Sequence, residues 1–121
     1  MPVTAGVRQL MLTLTGQEQA WLDDYRRILQ ERFPGLVQDI IVFGSKARGE
    51  ARPESDLDVL LVIRDGDWQQ KRALALPGYD LAIGTDVVPS IQAYTAAEWR
   101  RLEEQQSVFR EAVDHDGVSV R

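Results

Sequence analysis

The stretch Ile40-Ile41-Val42-Phe43-Gly44-Ser45-Lys46-Ala47-Arg48-Gly49, taken up again at Ser55-Asp56-Leu57-Asp58-Val59-Leu60-Leu61-Val62-Ile63, sets the architecture. Two apolar runs rich in β-branched residues flank a segment of small and charged ones. Runs of this length, bounded by turn residues, read as strands. Leu36–Phe43 is expected to form one strand, its polarity interrupted at Gln38 and Asp39. Leu57–Ile63 is expected to form a second, apolar at nearly every position and so covered on both faces. The short connection suits an antiparallel pair, because a parallel crossover needs more chain. Gly44–Glu54, with two glycines and a proline, reads as a loop.

Upstream, Thr15 with Glu18 three residues on has the pattern of a capping box. Ala20, Trp21, Tyr25, Ile28, Leu29 and Phe33 follow at helical spacing, which predicts a helix over 16–33 that Pro34-Gly35 stops. Residues 1–14 form an N-terminal arm with no clear pattern. Downstream, Arg64-Asp65-Gly66-Asp67 is a turn. Residues 68–83 have helical content, with a break expected at Pro77-Gly78. Val87–Ala93 reads as a third strand whose Pro89 points to a sheet edge or a bulge. Thr95 and Glu98 form a second capping box, opening a helix expected to run to about Val113 with Trp99, Leu102, Gln106 and Phe109 in one stripe. Asp114–Gly117 reads as a turn and Val118–Val120 as a short last strand. The expected fold class is α+β, a small mixed sheet with packed helices. No repeat or linker divides the chain, so residues 1–121 are expected to form one domain.

The chain has 121 residues, enough for one modest core. Without cysteine, disulfides and thiolate metal sites are excluded. No run approaches the roughly 20 apolar residues of a membrane span, and no signal-peptide pattern opens the chain. A cytoplasmic location is expected. The net charge is −5, from 19 acidic and 14 basic side chains. Strong nucleic-acid binding is not expected, because such binders draw their affinity from a basic surplus. A small nucleotide or a protein suits this balance better.

Asp56 and Asp58 are two apart, so in a strand both side chains project to one face while Leu57 turns inward. Alone, Asp-Leu-Asp would describe two solvated acids at a strand start. Behind a glycine-serine turn and between apolar strands it fits a divalent cation, because Mg²⁺ takes few carboxylates and completes its shell with water and phosphate oxygens. Gly44 lets a phosphate approach the backbone. Ser45 offers a hydroxyl and an amide. Lys46, Arg48 and Arg52 are candidates to neutralise phosphate oxygens. The only histidine, His115, lies between two aspartates and reads as a solvated loop residue. Trp21, Trp68 and Trp99 read as core anchors, or as interface residues if two share an exposed face.

Phe43-Gly44-Ser45, then residues 46–55, then Asp56-Leu57-Asp58 resemble the signature of the nucleotidyltransferase superfamily that includes DNA polymerase beta. Ala47-Arg48-Gly49 and Ser55 look like the minimal nucleotidyltransferases of bacteria and archaea. The motif covers about residues 40–63. The resemblance implies Mg²⁺-dependent transfer of a nucleoside monophosphate, AMP from ATP, to an acceptor hydroxyl, with two Mg²⁺ ions. It assigns metal to Asp56 and Asp58 and triphosphate contact to Ser45, which Gly44, Lys46 and Arg48 join as expected nucleotide contacts on the reading of the turn itself. Many members carry a third carboxylate on the following strand. Asp86 is the only acid near that strand here, so it is either that ligand or merely a strand-start residue. Such chains often pair with a helical HEPN-domain toxin, which they neutralise, in some pairs by attaching AMP to a tyrosine. A HEPN-domain protein is thus the expected partner, and a homo-oligomer is a further option. Two rival readings are a non-catalytic antitoxin that acts by complex formation and a transferase for small, aminoglycoside-like acceptors.

Overall fold

The computed structural model describes residues 12–50, 52 and 55–121. The elements, in chain order, are α1 (Gly16–Arg32), β1 (Val37–Phe43), α2 (Ser45–Arg48), β2 (Leu57–Ile63), α3 (Trp68–Ala82), β3 (Pro89–Thr95), α4 (Ala96–Glu104), α5 (Val108–Asp116) and β4 (Val118–Ser119). The strands form one mixed sheet in the order β3-β2-β1-β4. β1 runs antiparallel to β2 and to β4, while β2 and β3 are parallel across the α3 crossover. The fold class is the expected one. Among the described residues no helix is long and apolar enough to cross a membrane.

Strand alternation builds two apolar layers around this sheet. Leu57, Val59, Leu61 and Ile63 of β2 join Ile40 and Val42 of β1, Trp21, Leu22, Tyr25 and Leu29 of α1, and Leu74 of α3. Leu60 and Val62 point the other way and meet Trp99 and Val113, with Phe43, Tyr94 and Phe109 at the margin. The central strand β2 is therefore covered on both sides, as its nearly continuous apolar run requires. Asp58 shares the parity of Leu60 and Val62, so it belongs to the α4–α5 face.

α1 begins at the expected capping box: Thr15 Oγ1 accepts from Glu18 N–H, and Glu18 Oε1 accepts from Thr15 N–H. Thr95 and Glu98 repeat the device at α4. Four sequence expectations are corrected. Part of the loop after Gly44 is the helical turn α2. α3 is not broken at Pro77-Gly78 but runs through both. Its carbonyls there are held from outside, since Tyr25 hydroxyl donates to Leu74 O at 2.7 Å and Trp21 indole N–H donates to Gly78 O at 2.8 Å. The last long helix is two helices, because Gln106 sits at φ 52° and Ser107 caps a new start by accepting from Arg110 N–H. That bend brings Phe109 to Phe43 and Tyr94 at ring separations of 5.7 and 6.1 Å. Finally, α5 continues through Asp116, so the expected turn at Asp114–Gly117 is mostly helical. Pro89 does open an edge strand, since β3 ends the sheet. Trp21 and Trp99 are buried, whereas Trp68 is 68% exposed and is no core residue.

Candidate active site

The site begins where β1 ends. Phe43 pairs with Asp58 across the β1–β2 ladder, so the residue after Phe43 turns beside the Asp58 carboxylate. That residue is Gly44, at φ 75° and ψ −155°, a backbone region reserved almost wholly for glycine. A Cβ at this position would overlap Asp58 Oδ2. Both its conformation and its missing side chain are thus required, and the Asp58 carboxylate is packed against the glycine elbow. The chain then makes a single helical turn, with Gly44 O accepting from Ala47 N–H at 3.2 Å and Arg48 N–H at 3.1 Å. Among the described residues no side chain caps the start of this turn. Gly49, in the left-handed region at φ 74°, ends it.

Asp56 precedes β2 and is exposed, while Asp58 is half-buried on it. Burial pushes the Asp58 carboxyl above the usual carboxylate range, the negative charge of Asp56 adds to this, and the guanidinium of Arg48 opposes it. The two acids therefore feel each other, and Leu57 between them is fully buried in the opposite layer. Two mutually repelling carboxylates, one of them half-buried against a cradle too close for a Cβ, suit a divalent cation. Mg²⁺ needs only one or two protein carboxylates when phosphate oxygens and water fill the remaining positions. The donor set fits that ion.

A family model described as a nucleotidyltransferase domain matches residues 22–113, well over half of the chain. The chain belongs to the nucleotidyltransferase domain family. A protein of Methanocaldococcus jannaschii, MJ0604, provisionally named a protein adenylyltransferase, is 38% identical over 45 residues. That alignment takes in 37% of this chain and 45% of MJ0604, so the chain spans less than half of the relative it matches. Two crystal structures of variants of the toxin–antitoxin pair MntA–HpeT contain a chain with this fold, each at a TM-score of 0.55 and with 20% and 22% identity. They cover 82% and 83% of this chain, and 71% of the other chain in each case.

In this nucleotidyltransferase domain the remaining expected site residues part company. Arg48 stays at the site: it acts on Asp58, while its Nε pairs with Glu50 Oε2 at 3.2 Å and its Nη1 lies 3.7 Å from Asp116 Oδ2. Lys46 does not stay. Its side chain is 1% exposed, and its ammonium lies 3.1 Å from Glu18 Oε1 and donates to Arg52 O at 3.3 Å. It faces inward and is unavailable to a phosphate, which corrects the sequence-based expectation. Asp86 takes the strand-start position that was one of its two expected readings. It stands before β3, exposed, and its side chain accepts from Gln17 Nε2 at 3.1 Å. Among the described residues no three carboxylate or imidazole side chains form a metal-binding group. The β3 residue in register with Asp58 is Ser90. With Gln92 it lies on the Asp58 face by strand parity, and Gln92 Oε1 accepts from the Tyr94 hydroxyl at 3.3 Å. Sequence reasoning missed Ser90 because the register of a parallel pair joined through a helix is not written locally. It missed Asp116 because that residue reaches Arg48 from the far end of the chain. His115 is exposed, as expected, and bonds to Asp116 at 2.8 Å.

Proposed function

We propose that this chain is a Mg²⁺-dependent nucleotidyltransferase that moves AMP from ATP to a hydroxyl group of a partner protein. One observation carries the reading: the Asp58 carboxylate packs against a glycine elbow with the like-charged Asp56 beside it. Asp56 and Asp58 would hold Mg²⁺, which supplies charge neutralisation for the triphosphate and the departing pyrophosphate. The Gly44 elbow admits phosphate oxygens to the backbone, and the uncapped start of α2 with the Ser45 hydroxyl provides donors for them. Arg48 offers a second cation at the same edge. A protein acceptor is favoured by the name of the M. jannaschii relative and by the acidic net charge of −5. An antitoxin role toward a HEPN-domain toxin is favoured by the fold shared with a chain of the MntA–HpeT pair and by the motif of residues 43–58.

The test is transfer of label from α-³²P-ATP to the partner, with Mg²⁺ and with EDTA. Wild type is expected to label the partner only with Mg²⁺, and Asp56→Ala and Asp58→Ala are expected to lose transfer by at least about 100-fold. Labelling retained by either variant would refute the assignment. The placement of Asp86 away from the pair favours a second reading, in which the chain neutralises its partner by complex formation alone. The same two variants decide between them, because undiminished protection of cells by both would select the non-catalytic antitoxin.

A further inference from the structure

We propose that Lys46 and Glu18 are positioning residues, a buried clamp that sets the glycine elbow against Asp56 and Asp58. The proposal rests on the nucleotidyl-transfer reading of that elbow. Among the described residues, Glu18 and Lys46 are the buried charged side chains, 4% and 1% exposed. A buried ion pair is a poor source of net stability, because desolvation offsets the attraction, and an apolar pair of similar volume often does as well. What such a pair does supply is a defined arrangement of the segments that carry it.

Here the segments are the ones the site needs held. Glu18 belongs to the first turn of α1, where the same Oε1 that faces Lys46 accepts from Thr15 N–H at 2.9 Å. It is therefore fixed before Lys46 reaches it. Lys46 lies in α2, two residues after Gly44, and its carbonyl accepts from Thr13 N–H at 3.0 Å. From there its ammonium spans to Glu18 Oε1 and to Arg52 O. Arg52 O also accepts from Ser55 N–H at 2.9 Å, and Arg52 N–H donates to Ser55 Oγ at 3.1 Å. Ser55 is the residue next to Asp56. One side chain thus links the start of α1, the phosphate-facing turn and the segment that delivers both carboxylates. An ammonium suits this task, since it can serve two acceptors in different directions and needs no planar partner.

The test uses the full chain and the paired variant Lys46→Met with Glu18→Gln, which removes both charges at nearly constant volume. This variant is expected to keep its thermal midpoint within about 5 °C of wild type. Amide exchange at Arg52 and Ser55 is expected to quicken by about tenfold or more. The half-saturating Mg²⁺ concentration for transfer is expected to rise by about 10-fold or more, with kcat recovering at saturating Mg²⁺. An unchanged exchange rate at these two amides, or an unchanged Mg²⁺ requirement, in the folded double variant overturns the clamp. Should the double variant fail to fold, Lys46→Gln with Glu18→Gln, which removes both charges but keeps polar side chains at both positions, carries the exchange test with the same expected and overturning results. If the wild-type chain shows no Mg²⁺-dependent nucleotide binding, the transfer reading fails, and exchange at Arg52 and Ser55 still decides the clamp.

Discussion

At the scale of single residues, Gly44 and Asp58 form one unit. A side chain at Gly44 meets two obstacles, the strained φ and ψ and the Asp58 oxygen. Gly44→Ala is expected to cost about 1–3 kcal/mol from backbone strain alone. It should also lose Mg²⁺-dependent nucleotide binding, both measurable on the purified protein by urea titration and calorimetry. Asp58 carries the opposite signature, a charge held at some expense of stability. Its folded carboxyl titrates above its ordinary value, for reasons of burial first and Asp56 second. Between the ordinary value and the raised one, the native state binds more protons than the unfolded chain. Stability from this group therefore falls as pH rises through that window, and the deficit persists at neutral pH. Asp58→Asn is expected to melt higher than wild type at pH 7 without Mg²⁺, while losing activity. A thermal scan at pH 7 and pH 4 checks this, since the gap between the two proteins should narrow at the lower pH. Functional carboxylates commonly trade stability in this way.

Elements explain why these residues meet. β1 and β2 deliver Phe43 and Asp58 as a cross-strand pair, and the turn after Phe43 follows from that register. α3 matters because its crossover places β3, with Ser90, alongside Asp58. The helix can lie close to α1 because residue 78 lacks a side chain: a Cβ there would meet Ile91 Cδ1 and the Tyr25 ring. Gly78→Ala is expected to destabilise the fold by about 1–3 kcal/mol through overpacking, despite the better helix propensity of alanine. Chemical denaturation measures it, and an unchanged midpoint would show that α3 can shift outward freely. At the start of α4, Glu98 accepts from Thr95 N–H and from the Lys71 ammonium at 2.6 Å, which ties α4 to α3. The Lys71 bond holds the Glu98 carboxyl below its ordinary range. Thr95→Ala should cost about 1 kcal/mol through the lost cap.

Across the whole molecule, β2 joins two apolar layers that share no other strand so completely. Trp21 lies in one layer and Trp99 in the other, at 4% and 8% exposure. If the layers unfold together, single-tryptophan variants retaining Trp21 or Trp99 are expected to give the same urea midpoint. Separate midpoints would show that the α4–α5 layer opens alone. How much of this was legible in the chain depends on the range of the force concerned. The two capping boxes, the strand cores, the antiparallel β1–β2 pair and the acids beside the elbow were readable, since each depends on neighbours within a few residues or on a turn a short chain must make. Pro77 misled because the bonds from Trp21 and Tyr25 that accompany the helix there arise more than forty residues away. Lys46 misled because a basic residue in a glycine-rich turn looks solvated until a distant carboxylate is brought to it. The strand cores, the antiparallel β1–β2 pair, the elbow and the neighbouring acids are written in local sequence, for these follow from side-chain alternation, a short connection and glycine stereochemistry. The inward turn of Lys46, the strand-start place of Asp86 and the register of Ser90 with Asp58 come from the folded whole, because burial and strand register arise from packing between segments remote along the chain.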